Sequence, residues 1–438
     1  MIEEVLHPAN LMRAYHQVVR NKGAAGVDGM KVEELYGYLQ THREEMKASV
    51  RGGSYLPQPI RGVEIPKSNG KKRLLGVPTV IDRMLQQAVG QILCNHYDMN
   101  FDDNSYGFRP GRNAHQAVRQ SLEYINGGNT CIVDIDLKTF FDEVDHCLLL
   151  QILYRKVKCR QTLRLIRKWL RAPIQMNGRL VKRRKGMPQG SPLSPILSNI
   201  LLDELDKALA GMGIKHIRYA DDFSIYCQSE EEAREIQKDI YGFLTDKLHL
   251  PINEEKSGIR TPEEFTILGY GFARSRGARE KSVYHLIVSA KRWKTLKEKL
   301  KAVTRKTVPY TFDERMTKLN EIQRGWIQYF GLAKMLWQLQ KLDRWVRSRL
   351  RYCIWHSWKL PKRRCKNLIR MGIEPLQARL WSNPRMGGWA TARSPILKTT
   401  ITLSRLRRRG YLSMTSIFES IAPYLNEPLY TRPLRTVV

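Results

Sequence analysis

Ile217 to Tyr219 and Phe223 to Tyr226 are short strand-like runs, and Ala220, Asp221 and Asp222 stand between them. A polar tip between two apolar arms is a β-hairpin with acids at its turn. Cys131 to Ile135 is another apolar strand, with Gly127-Gly128 before it and a helix-forming segment after it, and Asp134, Asp136 and Asp142 surround its end. If the hairpin and this strand are neighbours, at least three carboxylates converge. Uncompensated, they repel one another, and the cluster is costly unless cations sit in it. Hard oxygen ligands favour Mg²⁺, and two ions roughly 3.5 to 4 Å apart suit displacement at a phosphate. An isolated Asp-Asp pair is more often a solvated turn, so the reading depends on the rest of the chain. Strand alternation puts Asp134 on the same face as Asp136, yet Asp134 is read as structural or as a support behind the ligating carboxylates.

Helical spacing runs from Asn10 to about Arg51, broken by the Gly23 to Gly29 loop. Residues 60 to 78 are expected to form a hairpin around Ser68-Asn69-Gly70, and Asn177-Gly178 signals another. Leu193, Ile196, Leu197, Ile200, Leu201, Leu205 and Leu209 recur at helical spacing over 192 to 210, after two prolines of the kind a first turn tolerates. Further helices are expected at 230 to 248, 291 to 303, 312 to 332 and 335 to 358. Helices around a small sheet, then helices alone, describe an α/β unit with an all-α appendage. The proline-punctuated tail after Ala422 is expected to be loose.

A chain of 438 residues is long for one core, so two or three domains are expected. The net charge of +33 points to a polyanionic partner. Residues 291 to 438 carry 33 Lys and Arg against 8 Asp and Glu, so most of the positive field lies in the last third. Eight of the nine tryptophans fall there too, a mixture that suits nucleic-acid backbones and stacked bases. Any single one of them is more often a core anchor. The seven cysteines form no CxxC pair, which supports neither a zinc site nor a disulfide framework and implies a reducing compartment. Nothing reads as a signal peptide or a membrane span, and a cytoplasmic setting is expected.

The acids gain meaning from their company. Tyr219-Ala220-Asp221-Asp222 follows Gly186-Met187-Pro188-Gln189-Gly190-Ser191-Pro192-Leu193-Ser194-Pro195, and Asp136 precedes Phe140-Phe141-Asp142. In this order they resemble a reverse-transcriptase palm. Gly23 to Gly29, Ile65-Pro66-Lys67, Ser105-Tyr106-Gly107-Phe108-Arg109-Pro110 and Arg324-Gly325-Trp326-Ile327-Gln328-Tyr329-Phe330 narrow the resemblance to group II intron reverse transcriptases, which also act as maturases. It covers the chain to about Leu412.

The resemblance implies an α/β right-hand polymerase fold of fingers and palm, followed by an all-α thumb and a small basic C-terminal DNA-binding region. It divides the chain into an N-terminal helical extension with a template-facing loop (1–60), fingers and palm (61–290), a helical thumb or maturase region (291–375), and a DNA-binding region with tail (376–438). Asp136, Asp221 and Asp222 would hold two Mg²⁺ ions, with Mn²⁺ as a substitute and the Leu137 carbonyl as a further ligand. Lys67 and Arg73 would clamp the triphosphate, Gln189 would contact the nucleotide, and Phe141 would exclude a 2′-hydroxyl. Lys256 would stand near the pyrophosphate. Arg109 and Arg112 would contact the template backbone, and Arg344, Arg347, Arg349 and Arg351 would grip RNA. The implied partners are intron RNA, an RNA template with a DNA or RNA primer, deoxynucleotides and target DNA, in the cytoplasm or on the nucleoid. Many relatives end in an endonuclease with cysteine pairs and histidines that this sequence lacks, so integration would need a pre-existing 3′ end. Two alternatives stay open: a non-catalytic RNA-splicing factor, and a defence- or CRISPR-associated reverse transcriptase of the same lineage.

Overall fold

The computed structural model of the chain describes residues 1–66, 70, 72–275 and 283–426. Lys67 and the Ser68-Asn69 turn lie outside the described residues. The chain forms two compact units, one running from Met1 to Pro262 and the other starting at Glu263.

Among its described residues the first unit carries eight strands: β1 (Ile60–Pro66), β2 (Lys72–Val77), β3 (Cys131–Asp136), β4 (Ile174–Met176), β5 (Arg179–Val181), β6 (His216–Tyr219), β7 (Asp222–Cys227) and β8 (Gly258–Arg260). They make two four-stranded sheets, ordered β2-β1-β4-β5 and β6-β7-β3-β8. Ile132, Val133 and Ile135 are all buried, so β3 hides both faces and takes an inner position, as a continuous apolar run should. The β4–β5 hairpin turns at Asn177 and Gly178, both at positive φ, which a two-residue turn of this kind requires.

The helix Ser194–Gly211 buries Ile196, Leu197, Ile200, Leu201, Leu205 and Leu209 in the same core as Val133, Ile135, Phe223 and Ile225. The helix Val80–Tyr97 joins that core, and the buried Asn10 amide holds the N-terminal helix Pro8–Arg20 to it, donating to the carbonyls of Val5 and Ala88 at 3.0 Å each. Asp82 is a buried hub that accepts from Tyr55 Oη (2.8 Å), Gln58 N (3.1 Å), Thr79 Oγ1 (3.0 Å) and Trp169 Nε1 (2.8 Å). Four donors on one carboxylate offset its desolvation. The expected helix at 230 to 248 is α-helical over Glu230–Gly242 and closes in a π turn, Phe243–Lys247.

The second unit opens with a three-stranded sheet, β9 (Thr266–Ile267), β10 (Tyr270–Arg274) and β11 (Tyr284–Val288), in the order β11-β10-β9. The division between the compact units falls at Pro262/Glu263. Its physical reason is that Tyr270 is fully buried with its ring 5.2 Å from that of Phe330, while Lys334 N donates to Leu286 O at 2.9 Å, so the strands pack with the helices that follow. Those helices are Ala290–Val303, Phe312–Phe330 and Leu336–Ser357, followed by shorter ones. The final helix, Met414–Asn426, runs through Pro423, so the chain is still helical where a loose tail was expected, and residues 427–438 lie outside the described residues. Among the described residues no helix is long and apolar enough to cross a membrane.

Candidate active site

Asp136 ends β3 and Asp222 begins β7, and the two are direct partners across the antiparallel pair. Asp221 precedes Asp222 in the tight β6–β7 turn. Ala220 sits in that turn at φ +60°, a conformation that L-residues other than Asn and Asp seldom adopt. Two features hold it there. Gly107 lies so close that a Cβ would meet Ala220 N at 2.3 Å. The second is Arg218 on β6, whose buried guanidinium donates from Nη1 to Ala220 O (3.1 Å) and Asn199 Oδ1 (2.9 Å) and from Nη2 to Ser105 Oγ (2.7 Å). Asp206 receives Nε at 2.9 Å and Nη2 at 2.6 Å, and Asn199 Nδ2 completes the lattice by donating to Gly107 O at 2.9 Å.

Asp136 is gripped from the other side by the segment Asn253 to Ser257. Its Oδ2 accepts from Asn253 Nδ2 (2.8 Å) and Lys256 Nζ (2.9 Å), and its backbone N–H donates to Ser257 Oγ (3.0 Å). Asp134 Oδ2 accepts from Arg260 Nε at 2.9 Å. Burial pushes the Asp134 carboxyl up, opposed by Arg260.

These elements frame a cleft of about 810 Å³ lined by Asp136, Leu137, Phe141, Gln189, Asp221, Arg73 and Lys256, among others. Asp222 stands beside the lining, with an exposed face. Loss of water, then the neighbouring Asp221, Asp136 and Asp134 charges, push its carboxyl up to about 6 against the pull of Lys256. Desolvation and the Asp136 charge also raise Asp221, opposed by Arg73. The Phe141 ring is nearly buried and meets Phe140 edge-on, with centroids 5.2 Å apart. Its carbonyl accepts from Met187 N at 2.6 Å, which ties it to the Gly186–Pro195 segment. Gln189 O accepts from Gly76 N at 2.8 Å, and its side-chain Oε1 accepts from Arg73 Nε. Gly190, at φ +110°, leaves only 2.8 Å between an added Cβ and Gly76 O, so this turn must be glycine.

Asp136, Asp221 and Asp222 offer hard oxygen donors, and burial, then neighbouring carboxylate charge, raises the Asp221 and Asp222 carboxyls. On donor type and charge they fit a divalent cation. Among the described residues no three His, Cys, Asp or Glu side chains already stand in ligand geometry; Asp136 Oδ2 is engaged by Asn253 and Lys256.

Four of the arginines expected at nucleic acid, Arg109, Arg112, Arg349 and Arg351, have partners within the chain. The Arg109 side chain is only 6% exposed; it pairs with Asp98 at 2.8 Å and donates to the carbonyls of Asp98, Asp102 and Ser105, so it folds its own loop. Arg112 is partly exposed, pairs with Asp103 and lies over the Tyr106 ring. Arg349 donates to Thr304 Oγ1 and to the Thr304 and Lys301 carbonyls, and the buried Arg351 donates to Ile401 O at 2.9 Å. All four arginines have internal partners that a phosphate would have to displace. Arg344 and Arg347 line a cavity in the second unit.

Arg218, Asn199, Asp206 and Asn253 were not foreseen as site residues. A signal existed for two of them: Asn199 and Asp206 lie seven residues apart on one face of a helix rich in buried leucine and isoleucine, where buried polar groups need partners.

A family model for reverse transcriptase (RNA-dependent DNA polymerase) matches residues 65–272, and one for the group II intron maturase-specific domain matches residues 293–372. The group II intron-encoded protein LtrA of Lactococcus lactis subsp. cremoris is 30% identical over 332 residues, 61% of this chain and 55% of LtrA. Protein YkfC of Escherichia coli (strain K12) is 30% identical over 317 residues, 63% of this chain and 83% of YkfC. Among solved structures, a chain of the partial Cas6-RT-Cas1–Cas2 complex is 25% identical, covering 56% of this chain and 42% of that one with a TM-score of 0.37. The chain thus spans about half the length of LtrA.

Proposed function

The chain belongs to the group II intron reverse transcriptase and maturase family, and from that premise we propose that it is an RNA-directed DNA polymerase that also binds its intron RNA to assist splicing and retrohoming. The observation that carries the reading is the pairing of Asp136 with Asp222 across β3 and β7, beside Asp221 at the turn, in a cleft that also presents Arg73, Gln189 and Phe141. The proposed layout is fingers and palm over most of the first unit, with the thumb and DNA-binding region in the second. Its bacterial relatives support a cytoplasmic setting.

Reverse transcriptases use divalent metal ions; held on Asp136, Asp221 and Asp222, with the Leu137 carbonyl as a further donor, two Mg²⁺ ions would activate a primer 3′-hydroxyl and neutralise the leaving pyrophosphate. The chain's own residues supply the rest. Arg73, already bonded to Gln189, orients the triphosphate by charge and fork geometry. Gln189 meets the nucleotide on a turn pinned to β2. The Phe141 ring, fixed by Phe140 and by its carbonyl bond to Met187, fills the space a 2′-hydroxyl would need. Lys256 balances Asp136 and carries on Nζ a proton for the leaving pyrophosphate.

The test is primer extension on an RNA template with deoxynucleotides and Mg²⁺. Full-length cDNA from the wild type, and none from Asp136→Ala, is expected. No DNA product from the wild type overturns the polymerase reading and favours a splicing factor. Intron splicing in vitro, with and without the protein, tests the maturase role separately.

A further inference from the structure

The second unit holds a cavity of about 700 Å³ between the helix Leu336–Ser357 and the helices Gly388–Arg393 and Pro395–Thr400. Arg344, Arg347, Arg393 and Lys398 line it, together with the indoles of Trp345 and Trp389, and no carboxylate is among its lining residues. Between residues 331 and 413 the sequence has only two acids, Asp343 and Glu374. Asp343 is buried and turned to other donors: Tyr411, Met414 and Thr415. Among the described residues, none of Arg344, Arg347, Arg393 and Lys398 pairs with a carboxylate. Arg351 lies beneath them, and its guanidinium is held below its usual range first by burial and then by the Arg347 charge. Its bond to Ile401 O ties two walls of the cavity together, so the site is preformed.

The two indoles differ. Arg349 and Lys297 already lie over Trp345, at 5.2 and 5.5 Å. Trp389 meets Tyr352 at a steep 79°, with centroids 5.8 Å apart, and among the described residues no cation covers it. Gly388 permits this contact, since a Cβ there would meet Tyr352 Cε2 at 3.0 Å. A preformed concave site that combines unpaired cations with an indole free of cations matches a nucleotide: phosphate oxygens for the arginines and a flat base for the ring. A duplex keeps its bases stacked inside and offers only phosphates. We propose that this cavity takes an unpaired nucleotide of RNA, its base stacked on Trp389 and its phosphates on Arg344, Arg393 and Lys398. The inference rests on the RNA-binding part of the proposed function and adds the class of ligand and the residue that selects it.

The experiment uses the full chain and two fluorescent probes, a 20-nucleotide single-stranded RNA and a blunt RNA duplex, titrated over a range of salt. Trp389→Ala should weaken single-strand binding by about 5- to 100-fold, the range for loss of one stacked base, and leave duplex binding near wild type. Trp389→Phe should restore most of the difference. Trp337→Ala removes an exposed indole of the helix Leu336–Ser357 that does not line the cavity, and should change neither. Arg393 is exposed, so Arg393→Gln tests the site without risk to folding; it should lower the log-log salt slope for single-stranded RNA by about 0.7. Equal loss on both probes in Trp389→Ala, or wild-type binding and slope in both variants, overturns the proposal. Primer extension by the wild type alongside that result leaves the polymerase reading standing. Trp389-dependent single-strand binding by a chain that extends no primer supports the cavity and rejects the polymerase.

Discussion

Arg218 donates through Nη1 to the carbonyl oxygen of Ala220 at 3.1 Å, so a wholly buried cation supports the turn that presents Asp221 and Asp222. The same guanidinium is paired with Asp206, and removing it leaves a buried carboxylate without its partner. Arg218→Ala should lower the unfolding free energy by about 3 to 5 kcal/mol, read from urea denaturation. Arg218→Lys keeps the charge but not the fork. It should regain part of the stability while turnover stays low, because the ammonium cannot serve Asp206, Asn199 and Ala220 together. Full turnover in the lysine variant would mean that the turn needs no such support.

Asp136 and Asp134 lie two residues apart on one strand, yet their partners separate their roles. Asp136 faces the cleft; Asp134 is paired with Arg260. Asp136→Ala should slow nucleotide addition by about a thousandfold or more, as loss of a metal-binding carboxylate does. Asp134→Asn should leave single-turnover rates near wild type and register chiefly as a lower Tm. Equal rate losses in the two variants would reject this division.

Asp222 couples the site to pH. Its carboxyl is pushed up to about 6, above the ordinary value near 3.9 that it has in an unfolded chain. For a raised carboxyl, the contribution to stability is fully present below the unfolded value and is lost as pH rises through the folded one. In metal-free buffer, wild type should therefore fall behind Asp222→Asn in Tm as pH climbs from about 4 to 6, and the gap should be level above about 7. Divalent cation should narrow the gap at neutral pH, since it favours the charged form. A gap that does not change across this window would mean that Asp222 titrates normally.

Phe141 lines the cleft with its ring locked by Phe140. In the proposed reading its ring stands beside the incoming sugar, and Phe141→Ala opens room there. The ratio of kcat/KM for deoxynucleotide over ribonucleotide should fall by about 10- to 200-fold, the range for one steric contact of this size. Single-nucleotide incorporation with matched dNTP and rNTP measures it; an unchanged ratio would place the gate elsewhere.

The acid-tipped hairpin was legible because apolar arms around a polar tip admit few other folds, and the helix after the Pro-Gln-Gly turn because its leucines keep a strict spacing. The arginines were harder. Sequence does not distinguish an arginine that faces phosphate from one that bonds main-chain carbonyls, and Arg109, Arg349 and Arg351 do the latter. Arg218 was missed for the converse reason: a cation on an apolar strand shows no purpose until Asp206 and Asn199 are brought against it by a helix that precedes it in the chain. The Lys256–Asp136 pair joins residues 120 apart, a contact that only the folded chain makes. The division at Pro262/Glu263 was invisible because β10 and β11 read as short apolar strands like those of the first unit, and the packing of Tyr270 on Phe330 is a contact that only the folded chain makes.

Asp343 gives the last prediction, on the stability of the second unit. This buried carboxylate accepts from Tyr411 Oη (3.0 Å), Met414 N (2.9 Å), Thr415 N (3.0 Å) and Thr415 Oγ1 (2.7 Å). Two of these donors are free N–H groups at the start of the helix Met414–Asn426, where a negative charge also suits the helix dipole. Burial and then the Asp343 charge hold the Tyr411 phenol well above its usual range, so it remains a donor at any working pH. Asp343→Ala orphans all four donors and should cost about 3 kcal/mol or more. Asp343→Asn keeps one acceptor oxygen and should cost less. Hydrogen exchange should show amides 414–422 losing protection in the alanine variant before the helix Phe312–Phe330 does. If protection falls equally in both helices, Asp343 supports the whole unit and is not a local latch for the terminal helix.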